Sequence, residues 1–327
     1  MKYTTIPGTA LNVSALCLGA GQFGANLPES DACRQMDIFS EEGGTFLDTA
    51  RIYTDWIPGE KGRSERITGE YLVERKSRER WVIATKGGHP LLSAMEKSRI
   101  RREELTRDID ESLKTLQTDY IDLYYLHRDD ARLGVEEIID LMNEFVAAGK
   151  LRYFGCSNWE TERIREAQRY AKTTSQMGFC ANQSLWNLGC YSMAAPADPT
   201  LVVMDKEMIQ FHRETELAAV PYSSQAGGFF SKRNESPKQA AETALKNGYA
   251  SSENVAVFSA VKTVAEAHEA PISHVVLGYL LSQQIAVIPV FSCRTIEQLH
   301  DTILGVEIEL SAGDLALLDS LNGSGLG

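Results

Sequence analysis

The chain is short of positive charge. Its 327 residues carry 33 Lys and Arg against 45 Asp and Glu, a formal net charge of -12. That balance argues against sequence-independent binding to nucleic acid, which needs cationic side chains to neutralise phosphates, and against attraction to an anionic membrane surface. Long apolar runs are also missing: stretches such as Val275-Val276-Leu277-Gly278-Tyr279-Leu280-Leu281 are far too short to span a bilayer. The first residues, Met1-Lys2-Tyr3-Thr4-Thr5, have no charged segment followed by an apolar one, so no secretory signal is read and a soluble, cytoplasmic protein is expected. The six cysteines (Cys17, Cys33, Cys156, Cys180, Cys190, Cys293) are scattered, with no pair at two-residue spacing. Buried reduced thiols explain them better than disulfides or zinc. With only six histidines, and Leu16-Cys17-Leu18-Gly19-Ala20-Gly21 where a metal-dependent barrel hydrolase would carry His-x-His, no metal site is expected.

What the chain does have is ordinary globular composition, 43% hydrophobic and 24% charged, arranged in a steady rhythm. Short apolar runs alternate with amphipathic stretches, the signature of repeated βα units and a parallel sheet. Strands are predicted at 15–18, 45–48, 81–85, 121–126, 153–156, 179–183, 217–221 and 285–289. Helices are predicted at 31–42, 64–71, 101–116, 135–148, 161–170, 204–215, 254–268 and 272–282. Within 101–116, Leu105, Ile109, Leu113 and Leu116 turn one apolar stripe toward a sheet. Gly149 and the Gly43-Gly44 pair stand where helices should stop. Residues 3–13, with Pro7-Gly8 at the turn, read as a hairpin ahead of the first strand.

Eight strands with intervening helices close most simply as a (β/α)8 TIM barrel forming one domain over 1–327, with extra C-terminal helices at 295–303 and 311–321. A doubly wound sheet is the fallback, weakened because no Gly-x-Gly-x-x-Gly opens a helix after the first strand. Two segments break the rhythm, a loop over 189–199 and a polar connection over 232–253 with at most a helical turn near 239–246. Both leave strand C-terminal ends, as closing lids or tolerated insertions.

Ionisable residues end three of these strands. The stretch Gly44-Thr45-Phe46-Leu47-Asp48-Thr49-Ala50-Arg51-Ile52-Tyr53 brings an apolar run to Asp48, with Tyr53 in the loop beyond. Ile83-Ala84-Thr85 leads to Lys86, and Leu123-Tyr124-Tyr125-Leu126 to His127. In a parallel barrel these positions share one rim. Any one of them has a bland reading as a helix cap, a surface lysine or a satisfied core histidine; together they read as a site. A free tyrosine titrates near 10, so one that transfers protons needs a cation beside it. Lys86 supplies the cation, Asp48 holds it charged, and His127 positions a carbonyl oxygen. Such a site delivers a proton onto an oxygen that gains charge as hydride arrives.

The residues Asp48, Tyr53, Lys86 and His127, with their flanking stretches, resemble the catalytic tetrad of the aldo-keto reductases, a (β/α)8 family that binds a nicotinamide cofactor without a Rossmann domain. The likeness runs over nearly the whole chain. It implies NADPH as cofactor, with NADH as the lesser alternative, and a small-molecule carbonyl substrate. Gly155-Cys156-Ser157-Asn158 resembles the family's carboxamide-binding Ser-Asn, and Gln183 its glutamine partner. Tyr222 matches the aromatic residue that stacks on the nicotinamide. The run Ser223, Ser224, Gln225, Ala226, Gly227 matches the pyrophosphate loop, with Lys232 after it. Ala20, Gly21 and Asp48 complete the cofactor side of the implied set. Ser292, Arg294, Gln298 and Asp301 resemble the adenosine motif, Gln298 and Asp301 toward adenine and Arg294 toward the 2′-phosphate. The sequence departs from the family pattern at Ser292 for glycine, Thr302 for asparagine and Ser224 for proline, which bears on cofactor affinity.

Phe23, Trp56 and Trp186 are candidates for the substrate side. Asp55, Arg128 and Asp129 give the mouth polarity and hint at a hydroxylated, sugar-like carbonyl compound. The alternative from another class is a nicotinamide-binding, redox-sensing regulatory subunit with slow turnover. That reading would want a long N-terminal partner-binding extension.

Overall fold

The computed structural model describes residues 1–192, 198 and 200–321 of the chain. It opens with a hairpin of β1 (Tyr3–Thr5) and β2 (Asn12–Ser14), paired antiparallel. Eight strands follow in parallel: β3 (Cys17–Gly19), β4 (Phe46–Asp48), β5 (Val82–Gly87), β6 (Ile121–Leu126), β7 (Leu151–Ser157), β8 (Ala181–Gln183), β9 (Ala218–Ala219) and β10 (Val290–Phe291). Each pairs with the next, and β10 returns to β3. The last gap closes where Ala219 bonds to Ala286 and Ile288 and Val290 bonds to Pro221. The eighth strand therefore begins near the predicted 285–289 but reaches its regular pairing at Val290–Phe291. Pro289 has no N–H to give the ladder, and its carbonyl instead accepts from Cys17 at 3.0 Å.

Helices α1 (Glu29–Glu41), α2 (Arg63–Glu74), α3 (Arg102–Leu116), α4 (Val135–Ala147), α5 (Thr161–Thr173) and α6 (Lys206–Thr215) alternate with the strands, close to the predicted bounds. After β9 comes a correction. The stretch read as a polar connection holds two helices, α7 (Phe229–Glu235) and α8 (Pro237–Asn247). What holds α8 is Ala240 and Ala244, two small buried residues one turn apart, too slight an apolar stripe to stand out in a polar segment. Helices α9 (Ser252–Ala267), α10 (Ile272–Leu281), α11 (Ile296–Leu304) and α12 (Ala312–Leu321) complete the described chain. Of the loop read over 189–199, residues 193–197 and 199 lie outside the described residues. No helix among the described residues is long and apolar enough to cross a membrane.

The core has two layers. A large one lies between strands and helices; a smaller one joins Cys17, Phe46, Ala84, Leu123, Tyr125, Ala181, Ala218, Val220, Ile288 and Val290 from the strands to Ile6, Leu11 and Val13 of the hairpin. The second set is the barrel interior. The hairpin plugs its N-terminal end, which leaves chemistry to the other.

On the outer side of β5, Thr85 donates to Glu65 Oε1 of α2 at 2.6 Å. Glu65 is fully buried, and burial raises its pKa to about 7. An acid raised by folding adds stability that is complete below its unfolded value of 4.5 and is lost as pH climbs through about 7. The shift corresponds to about 3 kcal/mol. Glu65→Gln keeps the acceptor for Thr85 and cannot ionise. Relative to the parent chain, urea unfolding should show the variant gaining about 3 kcal/mol between pH 4.5 and pH 8; a difference independent of pH would contradict this.

Candidate active site

Side chains alternate along a strand, so Phe46, Ala84, Leu123, Tyr125 and Ala181, which fill the interior, send Asp48, Lys86, His127 and Gln183 the same way, nearer the C-terminal rim. The four polar groups meet there. Lys86 Nζ donates to Asp48 Oδ2 at 2.6 Å, to the Thr49 carbonyl at 2.8 Å and to Tyr53 Oη at 2.8 Å, which accounts for all three ammonium hydrogens. Gln183 Nε2 donates to the other oxygen, Asp48 Oδ1, at 3.0 Å. Asp48 and Lys86 are each 1% exposed. Tyr53 comes from the turn after β4, held by Arg51 N on the Lys86 carbonyl and by the Arg51–Glu111 ion pair at 2.6 Å. Gly21 lies against the ring; a Cβ there would stand 3.7 Å from it.

Burial opposes the charge on Lys86, yet Asp48 and Tyr53 outweigh it and raise the lysine's pKa. Burial also raises Tyr53, and Lys86 offsets this only in part. Tyr53 is therefore a protonated phenol at neutral pH, beside an ammonium able to stabilise its anion. The His127 ring stands 5.9 Å from that of Tyr53, nearly perpendicular. Burial, with Arg128, His89 and Lys86 nearby, lowers the pKa of His127 well below its ordinary value, so it is a neutral imidazole. Its Nδ1 is buried without a hydrogen-bond partner among the described residues.

Beside this centre, Ser157 Oγ donates to the Gln183 carbonyl at 2.7 Å, Asn158 Nδ2 to Ser157 Oγ at 3.0 Å, and Tyr222 Oη to Asn158 Oδ1 at 2.7 Å. Asn158 holds φ 59° and Ser223 φ 54°, left-handed conformations that cost energy in residues with a Cβ and gather at ligand sites. From Tyr222 the chain winds through Ser223, Ser224 and Gln225 into a turn in which Ala226, Gly227 and Gly228 are all left-handed. Ser224 has a structural task as well, its hydroxyl donating to the Val290 carbonyl at 2.7 Å. Lys232 follows, its ammonium on the Gly227 carbonyl at 3.1 Å. Burial and the nearby charges of Arg294 and Lys246 lower its pKa. Both charges are thus close enough to Lys232 to act on it. Lys246 escaped the sequence reading because it sits on α8, taken there as connection.

Ser292 and Arg294, on the segment leading into α11, and Gln298, in its first turn, are exposed, and Gln298 Oε1 accepts from Arg294 N at 2.9 Å. Asp301 is engaged elsewhere, accepting from Ser273 at 2.7 Å and pairing with His274 at 3.0 Å. Ala20 donates its N–H to the Asp48 carbonyl at 2.8 Å, joining the first strand's end to the centre.

On the substrate side, Trp56 is 50% exposed and packs edge-on to Tyr53 at 6.5 Å. Phe23 and Trp186 are buried, each 1% exposed. The polar residues of the mouth are occupied by internal partners. Asp55 accepts from Gly62 N, Asp129 pairs with Arg163, and Arg128 binds Asp198, Thr200 and the His127 carbonyl. Large apolar side chains are exposed in loops of the same rim: Trp56 after β4, and Leu91 and Leu92 after β5.

Residues 15–323 match the model of the aldo/keto reductase family. The chain belongs to that family. Over 98% of its length it is 30% identical to an uncharacterised oxidoreductase, YrpG, of Bacillus subtilis, covering 96% of that protein. It is 27% identical over 98% of its length to norsolorinic acid reductase B of Dothistroma septosporum, covering 81% of that protein. Against an aryl-alcohol dehydrogenase [NADP(+)] of Phanerodontia chrysosporium it is 26% identical, with 96% of this chain and 83% of that protein aligned. The crystal structure of the thermostable aldo-keto reductase Tm1743 with the inhibitor epalrestat superposes with a TM-score of 0.73 at 25% identity, over 98% of this chain and all of that one. The eight-stranded aldo-keto reductase barrel read from the sequence is thus the fold observed, and its relatives are oxidoreductases.

Proposed function

We propose that this aldo-keto reductase uses NADPH to reduce the carbonyl group of an aldehyde or ketone to an alcohol, with Tyr53 as the proton donor. The observation that carries the reading is Tyr53 Oη on the ammonium of Lys86, itself buried on Asp48. When bound, the cofactor supplies the hydride. Tyr53 gives the proton to the oxygen that hydride transfer makes negative, and the phenolate left behind faces the Lys86 ammonium 2.8 Å away. His127, neutral, serves as a hydrogen-bond donor that orients the carbonyl rather than as a second acid.

The residues present fit a dinucleotide. Asn158 and Gln183 offer amide groups for a carboxamide, Tyr222 a ring beside them, and in the left-handed turn at Ala226–Gly228 the two glycines carry no side chain to bar a pyrophosphate from the backbone. Lys232, Lys246 and Arg294 gather positive charge that suits a 2′-phosphate, which favours NADPH over NADH. The substrate is read as a carbonyl compound with an aryl or otherwise apolar body. Trp56, Leu91 and Leu92 are large apolar side chains exposed on the rim, whereas Asp55, Arg128 and Asp129 are paired internally. Two relatives named for aryl-alcohol and norsolorinic acid chemistry agree with this.

Tyr53→Phe should fold and bind NADPH, followed by cofactor fluorescence, but lose at least about a thousandfold in turnover of an aromatic aldehyde, the scale of a missing general acid. Undiminished turnover would remove Tyr53 from the role. Arg294→Ala with Lys246→Ala should weaken NADPH at least tenfold more than NADH in fluorescence titration, and equal losses would refute selection of the 2′-phosphate.

A further inference from the structure

Resting on the reading of the site as a carbonyl reductase, we infer that His89 is a substrate-positioning residue that accepts a hydrogen bond from a hydroxyl beside the reacting carbonyl. The preferred substrates are then hydroxy-carbonyl compounds, above all ortho-hydroxyaryl ones.

The sequence alone gives His89 no distinction. It stands three residues past Lys86, after Gly87 and Gly88, and Gly88 takes φ 71°. Both positions call for glycine: Gly88 through that φ, and Gly87 because a Cβ there would collide with the Tyr124 hydroxyl. The turned chain brings the His89 ring to 4.8 Å from the His127 ring, at 67°. Trp56, Tyr53, His127 and His89 are thus linked by successive ring contacts, with centroids 6.5, 5.9 and 4.8 Å apart. In this chain of contacts the imidazole next to His127 is that of His89. A substrate whose carbonyl oxygen is oriented by His127 then has the His89 ring as a neighbour, within reach of a substituent beside that carbonyl.

The chemistry of that ring is set by one bond. His89 Nδ1 lies 2.6 Å from the Pro90 carbonyl oxygen, which can only accept, so Nδ1 carries the hydrogen. Burial and the Arg128 charge lower the histidine's pKa and keep the ring neutral. Nε2 is left with a lone pair, an acceptor and not a donor. Arg99, donating to the His89 carbonyl at 3.1 Å, ties the loop that carries the ring to the buried Asp108 at 2.6 Å. A fixed acceptor beside a reacting carbonyl discriminates for a donor at the adjacent position, because a substrate without one leaves the lone pair unmatched.

The test compares 2-hydroxybenzaldehyde with 2-methoxybenzaldehyde and benzaldehyde, using NADPH. His89→Phe keeps an aromatic ring beside His127 and removes the acceptor; His89→Gln returns an acceptor on a side chain of different shape. The ratio of kcat/KM for the hydroxy over the methoxy aldehyde, in which intrinsic reactivity cancels between enzymes, should fall on the order of tenfold in His89→Phe and recover at least in part in His89→Gln. An unchanged ratio, or equal losses on every aldehyde, would overturn the role of His89 while leaving the reductase reading intact. Failure of the parent enzyme to reduce any of the three would overturn both.

Discussion

A lysine ammonium with no access to water is the constraint on which this structure depends. Lys86 is buried on the barrel axis, where an unpaired charge would cost many kcal/mol, and it is tolerated because Asp48, the Thr49 carbonyl and Tyr53 take its three hydrogens. Removing one partner of such a pair typically costs about 3–5 kcal/mol, since the other charge is left stranded. The arrangement that positions the phenol thus also pins the C-terminal ends of β4 and β5 to each other. Gln183 extends the same network across the barrel to β8, so strands far apart in sequence share one polar centre. The ion pair keeps the lysine charged, and the charged lysine stands ready to receive the phenolate.

Around that centre the charges are divided by position. Arg128 is buried beside His127 and answered by Asp198, which holds a second cation at the mouth without exposing it. Its field helps to keep His127 and His89 neutral. One imidazole can then act as a donor and the other as an acceptor. Another group of cations, Lys232 on α7, Lys246 on α8 and Arg294 before α11, lies near enough together for the latter two to lower the pKa of the first. Local clusters of positive charge thus stand within a chain whose net charge is negative.

Much of this was legible in the sequence because it depends on two-residue alternation. Once Phe46, Ala84 and Leu123 are read as inward, Asp48, Lys86 and His127 must follow, and the lengths of the apolar runs give the rim. What escaped depends on contacts between distant segments. The helix α8 is held by two alanines, and Lys246 with it. Asp55, Arg128 and Asp129, which lend the mouth its polarity, each have an internal partner as well, information that residue types cannot carry. The same holds for Asp301, whose carboxylate is engaged by Ser273 and His274 on α10. His89 was silent because its meaning lies in a tautomer dictated by the Pro90 carbonyl.

The most direct test of the account is a crystal structure of the protein grown with NADP+. The nicotinamide should lie against Tyr222 with Tyr53 Oη and His127 opening onto the space above it, and the 2′-phosphate should fall among Lys232, Lys246 and Arg294. A nucleotide bound away from Lys86, or a Tyr53 hydroxyl directed away from the nicotinamide, would contradict it.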